Sequence, residues 1–410
     1  MEHILLLVHR IPYPPNKGDK IRSYHLLKHL TKRYQVHLGT FVDDPDDWQY
    51  VDIVKQWCGE TYFGKLNPVK AKLRSLGALI SNRALSLDYY RDADLSAWVA
   101  QLMAEKSIGR VLIFSSAMAQ YVEYASEARR VIDFVDIDSD KWLQYAEKKL
   151  WPMNWIYRRE GRQLLRYEKK IAQNFDASLF VSAAEASLFK QLAPESKHKI
   201  GFFSNGVDTE YFSPAPDYLN PYPQGQAVIV FTGAMDYWPN IDAVQWFAED
   251  ILPSIRAKNP AACFYIVGSR PSDQVQLLAR LPGVYVTGTV ADVRPYIAHA
   301  GVSVAPLRIA RGIQNKVLEA MAMAKTVVVS PQALEGIHAI PNQELIVAEI
   351  SEQFISAISA LLAKPDGLLG PAARHKVEQE YGWSSNLAML DTLLDATPSV
   401  LSEIATKEAS

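Results

Sequence analysis

Twice along this chain, short runs of unbroken apolar residues alternate with stretches of helical period, and a proline-rich segment separates the two series. The first series contains HILLLVHRI (3–11), QVHLGTFV (35–42), RVLIFSS (110–116), RVIDFVD (130–136), ASLFVS (177–182) and KIGFFS (199–204). The second contains VIVFTGA (228–234), CFYIVGS (263–269), VYVTG (284–288), VSVAPL (302–307), TVVVS (326–330) and LIVA (345–348). Strands buried on both faces read as continuous apolar runs, and parallel neighbours require a crossover helix between them. The pattern therefore predicts an α/β protein with two Rossmann-like parallel-sheet domains. Ligands of such sheets bind beyond the carboxyl ends of the strands, so a cleft faced by both domains is expected.

The expected boundaries are a first domain over 1–206, a linker over 207–226, a second domain over 227–380 and a helical tail over 381–410 that returns to the first domain. Ser213–Gln226, SPAPDYLNPYPQGQ, has neither helical nor strand period and marks the linker. With 49% hydrophobic and 21% charged residues, the composition excludes a disordered chain, a collagen-like repeat or a disulfide-stapled miniature. Cys58 and Cys263 match neither a metal-ligand spacing nor a secreted disulfide framework, so reduced thiols in a cytoplasm are expected. No apolar stretch approaches the roughly 18 residues of a membrane span.

Charge is divided unevenly: residues 1–205 carry a net +6 and residues 206–410 a net −8. Lys148, Lys149, Arg158, Arg159, Arg162, Arg166, Lys169 and Lys170 interleave with Trp142, Trp151 and Trp155, and Gly64–Leu87 holds five bases and no acid. Basic and apolar residues mixed in this way suit an anionic membrane surface or a phosphate-rich ligand. A solvated helix face with its aromatic residues in the core is the competing reading.

Two segments carry candidate chemistry. In PYPPNKGDK, Gly18 lies in a strand-to-helix turn where a ligand can approach the backbone and a helix N-terminus faces an anion. In APLRIARGIQNKVLEAMAMAKTVVVS (305–330), a strand ends at a loop with Arg308, Arg311 and Gly312, and a helix begins near Gln314 with Lys316 in its first turn. Glu319 follows Lys316 by three residues, one turn deeper on the same face, where a carboxylate can accept hydrogen bonds from sugar hydroxyls. Cations and helix amides beside that carboxylate suit a diphosphate next to a ribose; a surface helix with a Lys/Glu pair fits as well. Asp136 and Asp138 form a D-x-D pair, and with Asp133 they are candidates for orienting acceptor hydroxyls or for capping the next helix. His9 and His25 read as structural, and no zinc spacing, P-loop or Ser-His-Asp order is present.

The run GIQNKVLEAMA, with LEGI at 334–337, resembles the donor-nucleotide motif of family 4 glycosyltransferases of the GT-B fold. PPNKGDKIRSYHLLKHL, LFVSAAEASLF (179–189), SNGVDTEYFSP (204–214), FTGAMDYWPNIDAV (231–244) and the terminal YGW (381–383) agree in order, so the resemblance spans nearly the whole chain. MDYWPN, DFVDIDSDKW and PLRIARGIQNK are similar to the subgroup associated with bacterial exosortase (PEP-CTERM) systems. The resemblance implies that Glu319 binds the ribose and that Lys316 and the amides around Gln314 and Asn315 hold the diphosphate. It makes Gly233 the close-approach turn after the first strand of the second domain. It also departs from the family: Arg311 stands where the first of two paired glutamates is expected, MDYWPN replaces a basic residue after Gly233, and Ser115, Ser116 and Ala117 occupy a place often held by histidine. Arg308 or Arg311 would then supply the missing positive charge.

The expected activity is a retaining transfer of a sugar from a UDP- or GDP-sugar to an acceptor hydroxyl, with Arg308, Arg311 and Lys316 stabilising the leaving diphosphate and no metal or other cofactor. The implied setting is exopolysaccharide or glycolipid assembly, with a lipid-linked or oligosaccharide acceptor, an anionic membrane surface as a further partner and no nucleic acid. A nucleotide-sugar epimerase of the same architecture and a non-catalytic saccharide-binding protein are the alternatives.

Overall fold

The computed structural model describes residues 1–395 apart from 16, 17, 80, 82, 126, 148, 215, 216, 311, 312 and 365. Two compact units emerge, Met1–Asn205 joined by the chain from Asn386, and Gly206–Ser385. Every strand pairing in both sheets is parallel.

The first unit contains β1 (Glu2–Val8), β2 (Tyr34–Val42), β3 (Thr61–Lys65), β4 (Ile108–Phe114), β5 (Arg129–Val135), β6 (Ala177–Phe180) and β7 (Ile200–Phe202), in the order β3-β2-β1-β4-β5-β6-β7. Ile4 to Val8 and Val111 to Phe114 are wholly buried, as central strands covered by helices on both faces must be. The helices that matter below are α1 (Gly18–Leu30), α2 (Pro68–Ser75), α3 (Asp138–Glu147) and α4 (Met153–Asn174). Glu160 of α4, wholly buried, accepts from the amides of Leu85 and Ser86, and Glu168, also buried, accepts from the amide of Ser139. Both carboxylates thus satisfy amides at the starts of other helices, which would otherwise be buried without partners.

The second unit contains β8 (Ala227–Thr232), β9 (Ala262–Val267), β10 (Val284–Gly288), β11 (Val302–Ala305), β12 (Val327–Val329) and β13 (Ile346–Val347), in the order β10-β9-β8-β11-β12-β13. The helices of this unit that matter below are α5 (Trp238–Trp246) and α6 (Asn315–Ala322). The proline-rich stretch lies in this unit: Tyr222 is buried against Tyr265 and Tyr296 and donates to the Tyr296 carbonyl at 2.7 Å. The last described helix, α7 (Trp383–Asp395), ends on the first unit. There Asp391 pairs with His29 and Arg33, Asp395 accepts from Tyr34, and Arg110 donates to the Leu394 carbonyl.

Candidate functional site

In each sheet the chain leaves the first strand in one direction and returns beside it in the other, between β1 and β4 and between β8 and β11. The crevice beyond the carboxyl ends of such a strand pair is where open α/β sheets hold ligands. In the second unit, Gly233, Lys316 and Glu319 lie at that place.

β8 ends at Gly233, whose φ of 157° and tight surroundings admit no side chain: a Cβ there would lie 2.8 Å from Nδ2 of Asn240. The chain leaving β9 passes closer still, because a Cβ on Gly268 would lie 1.7 Å from the Gly233 carbonyl oxygen. Two backbones in contact leave room for a bulky group above them. Asn240, in the first turn of α5, donates through Nδ2 to the Ala234 carbonyl at 2.9 Å and accepts through Oδ1 from Lys316 Nζ at 2.5 Å. The same ammonium lies 4.8 Å from the centre of the Phe231 ring. Lys316 therefore points from α6 to the mouth of β8, held by one amide oxygen and one aromatic face.

Burial pushes the Lys316 ammonium down to about 8 and the Glu319 carboxyl up to about 7, and the attraction of each for the other only partly offsets this. Desolvation thus outweighs their mutual attraction at both groups. A phosphate would relieve Lys316 and hydroxyl donors would relieve Glu319. Asn315 begins α6 and Gln314 precedes it at the cap position, so the positive end of the helix dipole opens at the same place. Arg311 and Gly312 lie outside the described residues.

Arg308 is half exposed and paired with Asp242 of α5, with its guanidinium 5.4 Å from the Trp246 ring centre. Its charge is partnered two residues from Asn240. Sequence reading missed Arg270, which follows β9, has a φ of 51° and pairs with Asp236 at 3.1 Å. It brings a cation beside the MDYWPN run, where the sequence itself offers none. Non-glycine residues in the left-handed region gather at functional sites, but this φ exists only in the folded chain and nothing in the sequence marks Arg270.

The three aspartates of the first unit separate. Asp133, read as an acceptor-side candidate, is wholly buried in a two-pronged pair with Arg22 at 2.7 and 3.1 Å, and Arg22 also donates to the Phe203 carbonyl and to Asn205. Its oxygens serve the core. Asp136 and Asp138 instead share Lys141, at 2.6 and 3.6 Å. Near the ends of the same sheet, His9 Nε2 lies 3.4 Å from Asp19 while its ring stacks on Phe114, and Nδ1 is buried without a hydrogen-bond partner. Ser115 and Val135, at the ends of β4 and β5, have φ values of 78° and 70°. Gly18 starts α1 with open space around it. Among the described residues no group of three or more His, Cys, Asp or Glu side chains is placed to hold a metal ion, and no helix is long and apolar enough to cross a membrane.

Fold and site together define a two-unit α/β protein of the GT-B glycosyltransferase fold. Residues 226–364, within the second unit, match the model of the family described as glycosyl transferases group 1. Solved structures of similar fold include sucrose-phosphate synthase from Thermosynechococcus elongatus, with TM-score 0.63, 17% identity and all of both chains covered. A glycosyltransferase from Rickettsia africae has TM-score 0.61 and 15% identity over 97% of this chain and 100% of that one. HepE of Anabaena in complex with UDP has TM-score 0.62 and 16% identity with the same coverage, and HepE was also solved with UDP-glucose. No curated protein matches the chain at a significant level.

Proposed function

We propose that the protein transfers a sugar from a nucleotide-sugar donor to an acceptor hydroxyl, with retention at the anomeric carbon. The observation that carries this reading is the half-buried Lys316 and Glu319 pair beside the Gly233 turn at the β8/β11 crossover, a cation and a carboxylate one helical turn apart whose desolvation outweighs their mutual attraction. In this assignment Lys316, the amides at Gln314 and Asn315 and the arginines Arg308 and Arg311 bind the diphosphate, and Glu319 binds the ribose. The UDP and UDP-glucose complexes of HepE make a uridine donor the first to test.

The acceptor oxygen bonds to the anomeric carbon on the face from which the diphosphate departs, and the acceptor proton passes to a phosphate oxygen. Stabilising charge on the leaving group is then the dominant catalytic contribution, and preorganised cations and amides supply it without a metal. A lipid-linked or oligosaccharide acceptor in exopolysaccharide or glycolipid assembly is the setting favoured by the resemblance of the MDYWPN and PLRIARGIQNK segments to the exosortase-associated subgroup. The test is a screen of UDP- and GDP-sugars by calorimetry, followed by turnover with the donor that binds and NMR of the product anomer. Binding and a retained configuration are expected; an inverted product would overturn the retaining assignment, and failure of every donor to bind would overturn the reading itself.

A further inference from the structure

Helix α2 is turned opposite to an ordinary surface helix. Its buried positions are the small residues Ala71 and Ser75, followed by Ala78. Its large apolar residues Val69 and Leu73, with Leu76 just beyond its end, recur at i, i+4 and i+7 and form one stripe that is 69%, 65% and 52% exposed. Such a helix leaves its apolar stripe in water when nothing covers it.

A second apolar group stands at the start of α4, where Leu150, Trp151 and Trp155 are 87%, 81% and 54% exposed. Trp142 does not belong to it, because its ring packs against Tyr157. Arg159, one turn beyond Trp155, donates to the carbonyls of Ala78 and Arg83, which clamps α4 onto the segment that continues α2. The two apolar groups thus occupy one region of the first unit. Beside the stripe, a cavity of about 570 Å³ is lined by Arg74, Arg83 and Arg91 together with Asp88 and Asp92.

The charges around these groups are one-sided. Lys65, Lys70, Lys72, Lys149, Arg158 and Arg162 form no ion pair with the described residues, and neither 64–87 nor 149–159 contains an acid. Lys170 and Arg159 are not available, since one pairs with Glu123 and the other is the clamp. Lys148 lies outside the described residues. Exposed leucine and tryptophan ringed by unpaired bases match the interface of an anionic bilayer, where indole rings and aliphatic side chains settle at headgroup depth and the bases meet lipid phosphates.

We propose that the first unit docks on an anionic membrane surface through the α2 stripe and the Leu150–Trp155 tip. The surface is independent of the nucleotide reading, because vesicle binding requires no donor. The test is co-sedimentation of the full chain with vesicles of phosphatidylcholine alone and of phosphatidylcholine mixed with phosphatidylglycerol, at low and high salt. One variant carries Lys70→Glu, Lys72→Glu, Arg158→Glu and Arg162→Glu; the other carries Leu73→Ser, Trp151→Ser and Trp155→Ser. All seven positions are exposed, so circular dichroism and melting should match wild type. Wild type is expected to pellet with the anionic vesicles alone and to be released by salt. Each engaged base counts roughly five-fold in partitioning, so the charge variant should lose roughly ten-fold or more. The apolar variant should also lose binding, along with the blue shift of tryptophan fluorescence on vesicle addition. Pelleting that ignores lipid charge, or either variant pelleting as wild type does, would overturn the proposal.

Discussion

Lys316 donates a 2.5 Å hydrogen bond to Asn240, tying the helix that follows β11 to the helix that follows β8. That bond spans the crossover of the second sheet and aims the ammonium at the Gly233 turn. Replacing Lys316 with Met should lower affinity for a nucleoside diphosphate by about 1.5–3 kcal/mol, the range for a hydrogen bond to a charged group. The unliganded protein should not lose stability in parallel, because a desolvated ammonium is removed with the bond. Calorimetry and thermal melting separate the two effects, and a parallel fall in both would mark Lys316 as structural.

Glu319→Ala should likewise cost about 1.5–3 kcal/mol of nucleotide affinity if its carboxylate holds ribose hydroxyls. Unchanged affinity would remove it from the site.

Glu319 also makes a stability prediction whose sign follows from its titration. Its folded-state value of about 7 lies above the 4.5 ordinary for glutamate, so the folded protein binds the proton more tightly than the unfolded chain does. Its favourable contribution is complete below the unfolded value and is lost as pH rises toward 7. Glu319→Gln cannot titrate, so relative to wild type it should gain on the order of 1–3 kcal/mol between acidic and neutral pH. Urea unfolding across that range tests this, and a difference that does not change with pH would contradict it.

Nucleotide binding should be bell-shaped in pH. Glu319 must ionise to accept from hydroxyls, which fails as pH falls through about 7, and Lys316 must keep its proton to face a diphosphate, which fails as pH rises through about 8. Calorimetry with a nucleoside diphosphate should show greatest affinity between these values, with both limbs missing when Lys316 and Glu319 are replaced together.

Gly268→Ala places a methyl group 1.7 Å from the Gly233 carbonyl and should destabilise by at least the ~1–3 kcal/mol typical of overpacking while opening the floor of the site. Gly18→Ala meets open space and should change stability by less than about 1 kcal/mol. Melting of the two variants should therefore differ sharply.

The apolar runs pointed to twelve of the thirteen strands among the described residues, because strands buried on both faces leave an unbroken mark in sequence. β3, Thr61–Lys65, escaped because it is a sheet edge whose only buried residue is Gly64. Lys316 and Glu319 were legible as a pair because helical geometry relates them locally. Asn240 and Gly268 were not, since Lys316 lies 76 residues from Asn240 and the Gly233 backbone meets Gly268 only once the sheet has formed. The Arg22 partner of Asp133 was equally out of reach, because it lies 111 residues away. Trp142, Trp151 and Trp155 look alike in sequence, and only packing separates the first from the exposed pair.

The central claim is that a nucleoside diphosphate sits on the Gly233 turn and the start of α6. Hydrogen exchange measured by mass spectrometry, with and without saturating UDP or GDP, tests it most directly. The account predicts that one of these nucleotides slows exchange in peptides covering 231–240 and 313–320 and that Lys316→Met raises the nucleotide concentration needed for that protection by roughly ten- to hundred-fold. Unchanged exchange in both segments with each nucleotide, or protection confined to other parts of the chain, would contradict it.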